Sequence, residues 1–262
     1  MLDSMDAAEH QSAHEPAGPT VTRTCLLVLG MHRSGTSALS AVLGILGADL
    51  GDRLLGPAPD NPKGYFEDGV TVGINQFLLD SFFVRGIWPA SLDWYRATDL
   101  KGARPRIDAT LAYFDRAPLF LIKDPRLCLT LPLWLDRGAA QRIGIRLIYT
   151  ARNPLDVVRS LATRDNVNPD VAAASWFLHT TLALANGRAH AKMFCTYEGL
   201  LADTDAALAR LAAFDPGMAL TPERRNAVDA FLDAGLQHHR ASAPTTVDPL
   251  LVVSMRLYEA IA

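Results

Sequence analysis

Two short runs in this chain carry residue types that bind anions. The first is Gly30-Met31-His32-Arg33-Ser34-Gly35-Thr36-Ser37, set between the apolar run Thr24 to Leu29 and an apolar helical pattern from Ser37 to Leu46. A glycine turn between a strand and a helix N-terminus points several backbone N–H groups at one spot, where the helix dipole also favours negative charge. Arg33, Thr36 and Ser37 add a guanidinium and two hydroxyls. The second run, Ala151-Arg152-Asn153-Pro154-Leu155-Asp156, follows the apolar run Ile145 to Thr150, and Pro154 there is suited to opening a helix. Arg152 stands at the end of that strand, and Ser160 lies eight positions on. In an open α/β sheet ligands gather outside the carboxyl ends of the strands, so both runs can border one crevice.

The spacing Gly30-x4-Gly35 is the frame of a nucleotide-triphosphatase phosphate loop, but Thr36 occupies the position where such loops carry Lys. The charge stands upstream instead, at Arg33. Without that Lys there is no dedicated partner for β- and γ-phosphates, whereas Arg33, Thr36 and Ser37 suit one phosphate joined to a sulfate. Arg33-Ser34-Gly35-Thr36-Ser37 resembles the 5′-phosphosulfate loop of bacterial sulfotransferases that use 3′-phosphoadenosine 5′-phosphosulfate (PAPS). Arg152 with Ser160 resembles their 3′-phosphate element. A molecule with phosphate at both ends selects for two anion sites, which ATP does not need.

Four further elements extend the resemblance. Asn61-Pro62-Lys63-Gly64-Tyr65-Phe66-Glu67 resembles a run in which the family places a catalytic carboxylate, and the resemblance implies Glu67 as general base. Capping a helix that begins near Asp68 is the other role open to Glu67. Thr196-Tyr197-Glu198 resembles an element whose Tyr approaches the nucleotide, with a core position as the alternative for Tyr197. His238-His239-Arg240 resembles an element that brings Arg240 to the 3′-phosphate, or leaves it as a surface charge. Arg33 and His32 are the partners expected for the leaving phosphate, His32 acting as a hydrogen-bond donor or as a structural one. Ile122-Lys123-Asp124-Pro125-Arg126 is similar to another recurrent element; its charges can fix Glu67, meet an anion, or tie the loop to the core.

The elements that must position these residues read as α/β. Apolar runs at Thr24 to Leu29, Leu119 to Ile122, Ile145 to Thr150 and Lys192 to Thr196 suit central parallel strands. Helical segments lie between them at Ser37 to Leu46, Pro154 to Arg164 and Pro169 to Asn186, the last with Asn168 as N-cap and Gly187 as stop. The expected fold is a three-layer sandwich with a central parallel sheet and a phosphate loop of nucleotide-triphosphatase type. Residues 1–22 read as a disordered tail and 23–262 as one domain, with 48–117 an inserted lid or acceptor wall. The aromatics of that insert, Trp88, Trp94 and Tyr95, can stack on an acceptor, dock a partner, or simply fill the core.

Bulk composition bounds the rest. With 49% hydrophobic and 20% charged residues in 262, the chain suits a globular domain, and a net charge of -3 argues against a general nucleic-acid or membrane-surface role. No apolar stretch approaches the length of a spanning helix. Cys25, Cys128 and Cys195 lie among apolar neighbours with no regular spacing, which fits buried thiols in a reducing, cytoplasmic setting rather than a disulfide framework or a zinc site. The resulting expectation is a PAPS-dependent transferase, with no metal, acting on a small-molecule or glycan hydroxyl, such as that of a saccharide or lipid. The alternatives are an ATP-dependent kinase on the same scaffold and an inactive nucleotide-binding module that works through partners.

Overall fold

The computed structural model describes residues 23–59, 61–84, 88–97, 100, 102–233 and 249–262. The expected N-terminal tail and the His238-His239-Arg240 element lie outside these residues. The chain opens with β1 (Thr24–Leu29), the phosphate-loop run and α1 (Thr36–Leu46). The insert follows, with α2 (Gly69–Phe82), a short hairpin of β2 (Phe83–Val84) and β3 (Trp88–Pro89), and α3 (Ala103–Tyr113). The sheet resumes with β4 (Leu119–Lys123), α4 (Leu127–Ala140), β5 (Gly144–Tyr149), α5 (Pro154–Asp165), α6 (Pro169–Asn186) and β6 (Ala191–Phe194). Helices α7 (Tyr197–Ala202), α8 (Thr204–Phe214), α9 (Pro222–Asp233) and α10 (Pro249–Ile261) complete the described chain.

The four long strands form one parallel sheet in the order β4-β1-β5-β6, and β1 pairs with β4 on one side and β5 on the other. Side chains alternate across a strand, so β1 feeds both faces. Cys25, Leu27 and Leu29 enter a core built with Ile74 and Leu78 of α2, Ile107 of α3 and Trp134 of α4. Leu26 and Val28 enter a second core with Leu39 and Leu43 of α1, Leu208 of α8 and Val228 of α9. Two helical layers thus sandwich the sheet, and β1 is apolar throughout because both its faces are covered.

Helix α4 was not among the expected helices, because Pro132 inside it and the apolar run around it lack a polar stripe. It is buried on most sides, from Leu127 to Leu135, so periodicity has no exposed face to report. Within the insert, Trp94 is core: its ring packs 5.3 Å from that of Phe83 and 5.7 Å from that of Phe82. Tyr95 is half-buried beside it, and Trp88 is exposed. No helix among the described residues is long and apolar enough to cross a membrane.

Candidate active site

The strand order decides which loops meet. β4 leaves for the far side of β1 through α4 and returns as β5, so the order of connection reverses at β1, where α/β sheets open a crevice at their carboxyl edge. Lys123 ends β4, the phosphate loop follows β1, Arg152 follows β5, and Tyr197 follows β6. Four elements found separately in the sequence therefore lie along one edge.

The loop after β1, the expected phosphate loop, is shaped by two backbone positions in the left-handed region. Gly35 has φ 83° at the N-cap of α1, and a Cβ there would come within 2.4 Å of the Tyr197 ring. Arg33 adopts φ 68°, which costs a non-glycine residue about 1 kcal/mol. No side chain caps α1, so the amides of its first turn keep their capacity for an anion. Ser34 is fully buried, and its Oγ has no hydrogen-bond partner among the described residues. At Gly30 a Cβ would meet Thr150 O at 2.4 Å, which requires glycine where β1 and β5 converge. Uncapped amides, an unsatisfied hydroxyl and a glycine-lined approach are the features a phosphate-bearing ligand would use.

The second run reaches back to the first. Arg33 Nε donates to Ser160 Oγ at 2.9 Å across 127 residues of sequence, joining the phosphate loop to α5. Arg152 lies over the Tyr197 ring, 5.2 Å from its centroid, and that ring packs on Gly35. Asp156, in the first turn of α5, stands 3.9 Å from Arg152 and holds it loosely. Asn153 caps α5 through Leu155 N, while its own N–H donates to Glu198 Oε1. Glu198 Oε2 accepts from Tyr258 OH, so α10 braces this element from behind.

Glu67 is placed by the insert. Asn61 Nδ2 donates to Gly64 O at 2.6 Å, and Gly64, with φ 92°, closes the Asn-Pro-Lys-Gly run as a turn. Phe66 takes φ 56°, unusual for an aromatic residue, and that twist delivers Glu67 to the carboxyl edge. Lys123 Nζ donates to Glu67 Oε1 at 2.6 Å, to Tyr65 O at 3.0 Å and to Ser37 Oγ at 3.3 Å. The base candidate and the phosphate loop thus share one ammonium, itself only 2% exposed. The capping alternative for Glu67 does not hold: Asp68 caps α2, its Oδ1 accepting from Thr71 N at 2.7 Å. Burial pushes the Glu67 carboxyl above the usual carboxylate range, against the pull of Lys123, and burial lowers Lys123 in turn.

An open cleft of about 490 Å³ lies in front of Glu67. Leu55 and Val72 supply its apolar wall; Tyr65, His32, Arg126, Arg164 and Asp165 are polar. Burial, and then the His179 ring at 6.4 Å, hold His32 well below the ordinary histidine value, so it offers a neutral N–H rather than a positive charge. Sequence reasoning missed Arg164, which ends α5 away from any motif, and it missed the buried partner His179. Arg126 was in view, but its anchoring was not: it bonds Gln76 of α2 and Asp124, which Asn75 of α2 holds in turn, and no motif marks Asn75 or Gln76.

Comparison with known proteins adds the fold. No family model and no curated sequence matches this chain. The solved sulfotransferase domain of the Synechococcus PCC 7002 olefin synthase is similar to it, with a TM-score of 0.56, 18% identity, and 94% of this chain and 98% of that one covered. The fold is that of the sulfotransferases. A sulfotransferase domain from the curacin biosynthetic pathway aligns at TM-score 0.49 and 18% identity over 78% of this chain and 77% of that one. A sulfotransferase from Alicyclobacillus acidocaldarius aligns at 0.42 and 15% over 92% and 98%. In the sulfotransferase fold of this chain, the carboxyl edge of the sheet is where the loop after β1 and the run after β5 meet.

Proposed function

We propose that the chain is a sulfotransferase that moves a sulfuryl group from PAPS to a hydroxyl of an acceptor seated beside Glu67. The observation that carries the reading is the Arg33 to Ser160 hydrogen bond, which unites two anion-binding elements of different strands into one clamp. Bound PAPS would supply the sulfuryl group, its sulfur leaving a phosphate oxygen for the acceptor oxygen, and would depart as adenosine 3′,5′-bisphosphate.

The protein's own part is positioning and charge. Arg33, Ser34, Gly35, Thr36 and Ser37 would hold the 5′ end, and Arg152 and Ser160 the 3′-phosphate, with Tyr197 between them. Lys123 occupies Glu67 Oε1, so Oε2 is the oxygen placed to take the acceptor proton. A carboxylate made more basic by burial is better matched to that task near neutral pH than an exposed one. Arg33 contributes fixed positive charge where negative charge develops on the departing phosphate, and His32 a neutral donor. The cleft joins the apolar wall of Leu55 and Val72 to the polar side chains of Tyr65, Arg126, Arg164 and Asp165, a lining open to a saccharide or a lipid acceptor.

Titration calorimetry tests the reading. Adenosine 3′,5′-bisphosphate is expected to bind without magnesium and more tightly than ATP. A preference for ATP that depends on magnesium would replace this reading with the kinase alternative.

A further inference from the structure

Arg126 lines the cleft beside Glu67, yet nothing in sulfuryl transfer as described above uses it. Its guanidinium is anchored on two sides. Nε donates to Gln76 Oε1 at 3.0 Å, and NH1 donates to Asp124 Oδ1 at 2.9 Å. The two anchors differ in burial, Gln76 lying on the exposed face of α2. Gln76 donates its amide to Asp80, which sets its oxygen toward Arg126. Asp124 is fully buried; its other oxygen accepts from Asn75, whose oxygen in turn accepts from Thr130 and Trp134. The result is a planar fork held along two of its edges, with NH2 the nitrogen that has no protein partner among the described residues. The second cleft arginine is different, because Asp165 grips Arg164 through both Nε and NH2.

A guanidinium held in a fixed plane loses little freedom on meeting an oxyanion, and arginine matches the geometry of carboxylate and phosphate better than any other side chain. Neutral hydroxyls do not call for such a device. Resting on the sulfotransferase reading of this site, we propose that Arg126 recognises an anionic group on the acceptor, which is then a hydroxyl compound that also carries a carboxylate or a phosphate. The hydroxyl lies at Glu67 and the anion at the NH2 edge of Arg126, both within the one cleft. Leu55 and Val72 cover the carbon skeleton between them.

The test loads the protein with adenosine 3′,5′-bisphosphate, which occupies Arg33 and Arg152, and follows ligand binding by NMR. Matched probes are D-glucuronate against D-glucose, and 4-hydroxybutyrate against butane-1,4-diol; glucose 6-phosphate separates a phosphate preference from a carboxylate one. The anionic member of at least one set is expected to bind about 10-fold or more tighter, the scale of a charge-assisted hydrogen bond. Arg126→Gln should abolish that preference while leaving bisphosphate affinity intact, and Arg126→Lys should keep part of it. Gln76→Ala, which removes one anchor and no charge, should weaken the preference in a protein whose thermal melt shows it folded. Equal binding within every set, or a preference that survives Arg126→Gln, overturns the proposal while the sulfotransferase reading stands. Failure of the parent protein to bind the bisphosphate overturns both.

Discussion

Replacing Lys123 with Met isolates the electrostatics of the base. Lys123 and Glu67 are 2% and 6% exposed and bonded at 2.6 Å, so the substitution leaves a carboxylate buried without its counter-charge. Breaking such a pair from one side costs about 3 to 5 kcal/mol. The lower end is expected here for two reasons. Tyr65 O keeps a donor in Ser37 Oγ at 3.1 Å, and Glu67 can escape by taking up a proton. That escape makes the cost depend on pH, and its sign can be worked out. Burial already raises the Glu67 value in the folded state, and Lys123 is the largest opposing influence. Without Lys123 the folded value rises further while the unfolded one stays near about 4.3, so the folded variant binds more protons than its unfolded chain. Its stability is therefore fully present below about pH 4.3 and is lost as pH rises through the folded Glu67 value, by about 1.4 kcal/mol per pH unit in that window. Urea unfolding of parent and Lys123→Met at pH 5 and pH 8 measures this, and a carbon-13 NMR titration of the glutamate carboxyls, with Glu67→Gln as the assignment control, follows the group directly. A destabilisation that is equal at the two pH values, or a Glu67 resonance that titrates lower in the variant, would refute the reasoning.

Glu67→Gln should keep bisphosphate affinity and lower turnover with an active acceptor by about 10² to 10⁴, the usual contribution of a general base; parallel loss of binding and turnover would remove Glu67 from that role. Arg152→Ala should weaken adenosine 3′,5′-bisphosphate by about 10- to 100-fold and adenosine 5′-phosphate much less, read by calorimetry. Unchanged selectivity would mean that Arg152 does not meet the 3′-phosphate. Gly35→Ala forces a Cβ to within 2.4 Å of the Tyr197 ring at φ 83°, and is expected to cost 2 kcal/mol or more, on the order of ~2–4, in thermal or urea unfolding. Burial depresses His179 from 6.5 to about 4, so its stabilising effect is present above 6.5 and lost as pH falls towards 4. That difference corresponds to about 3 kcal/mol, and His179→Gln should flatten the acid side of the stability profile.

The two runs proposed to bind anions stand out in the sequence because their residue types are local. Glycine at a strand-to-helix turn, a basic residue two before it and hydroxyls after it are adjacent in sequence, and so are Arg152 and the proline-opened helix that carries Ser160. The strands were legible for a related reason: β1 is apolar at every position because both its faces are covered. What the sequence could not supply was adjacency between segments. That Arg33 meets Ser160 follows from β5 lying beside β1, and strand order is set by how crossover helices pack, which no single run encodes. Likewise, three roles stood open for Lys123, and only the pairing of β4 with β1 brings its ammonium to both Glu67 and Ser37. Glu67 could cap a helix or serve as a base, and the structure gives the cap to Asp68 while the left-handed turn at Phe66 carries Glu67 to the carboxyl edge. Trp94 became core and Arg126 a fixed fork for the same reason. A side chain's type is written in the sequence, whereas its partners depend on contacts between distant segments, and those exist only once the layers have packed.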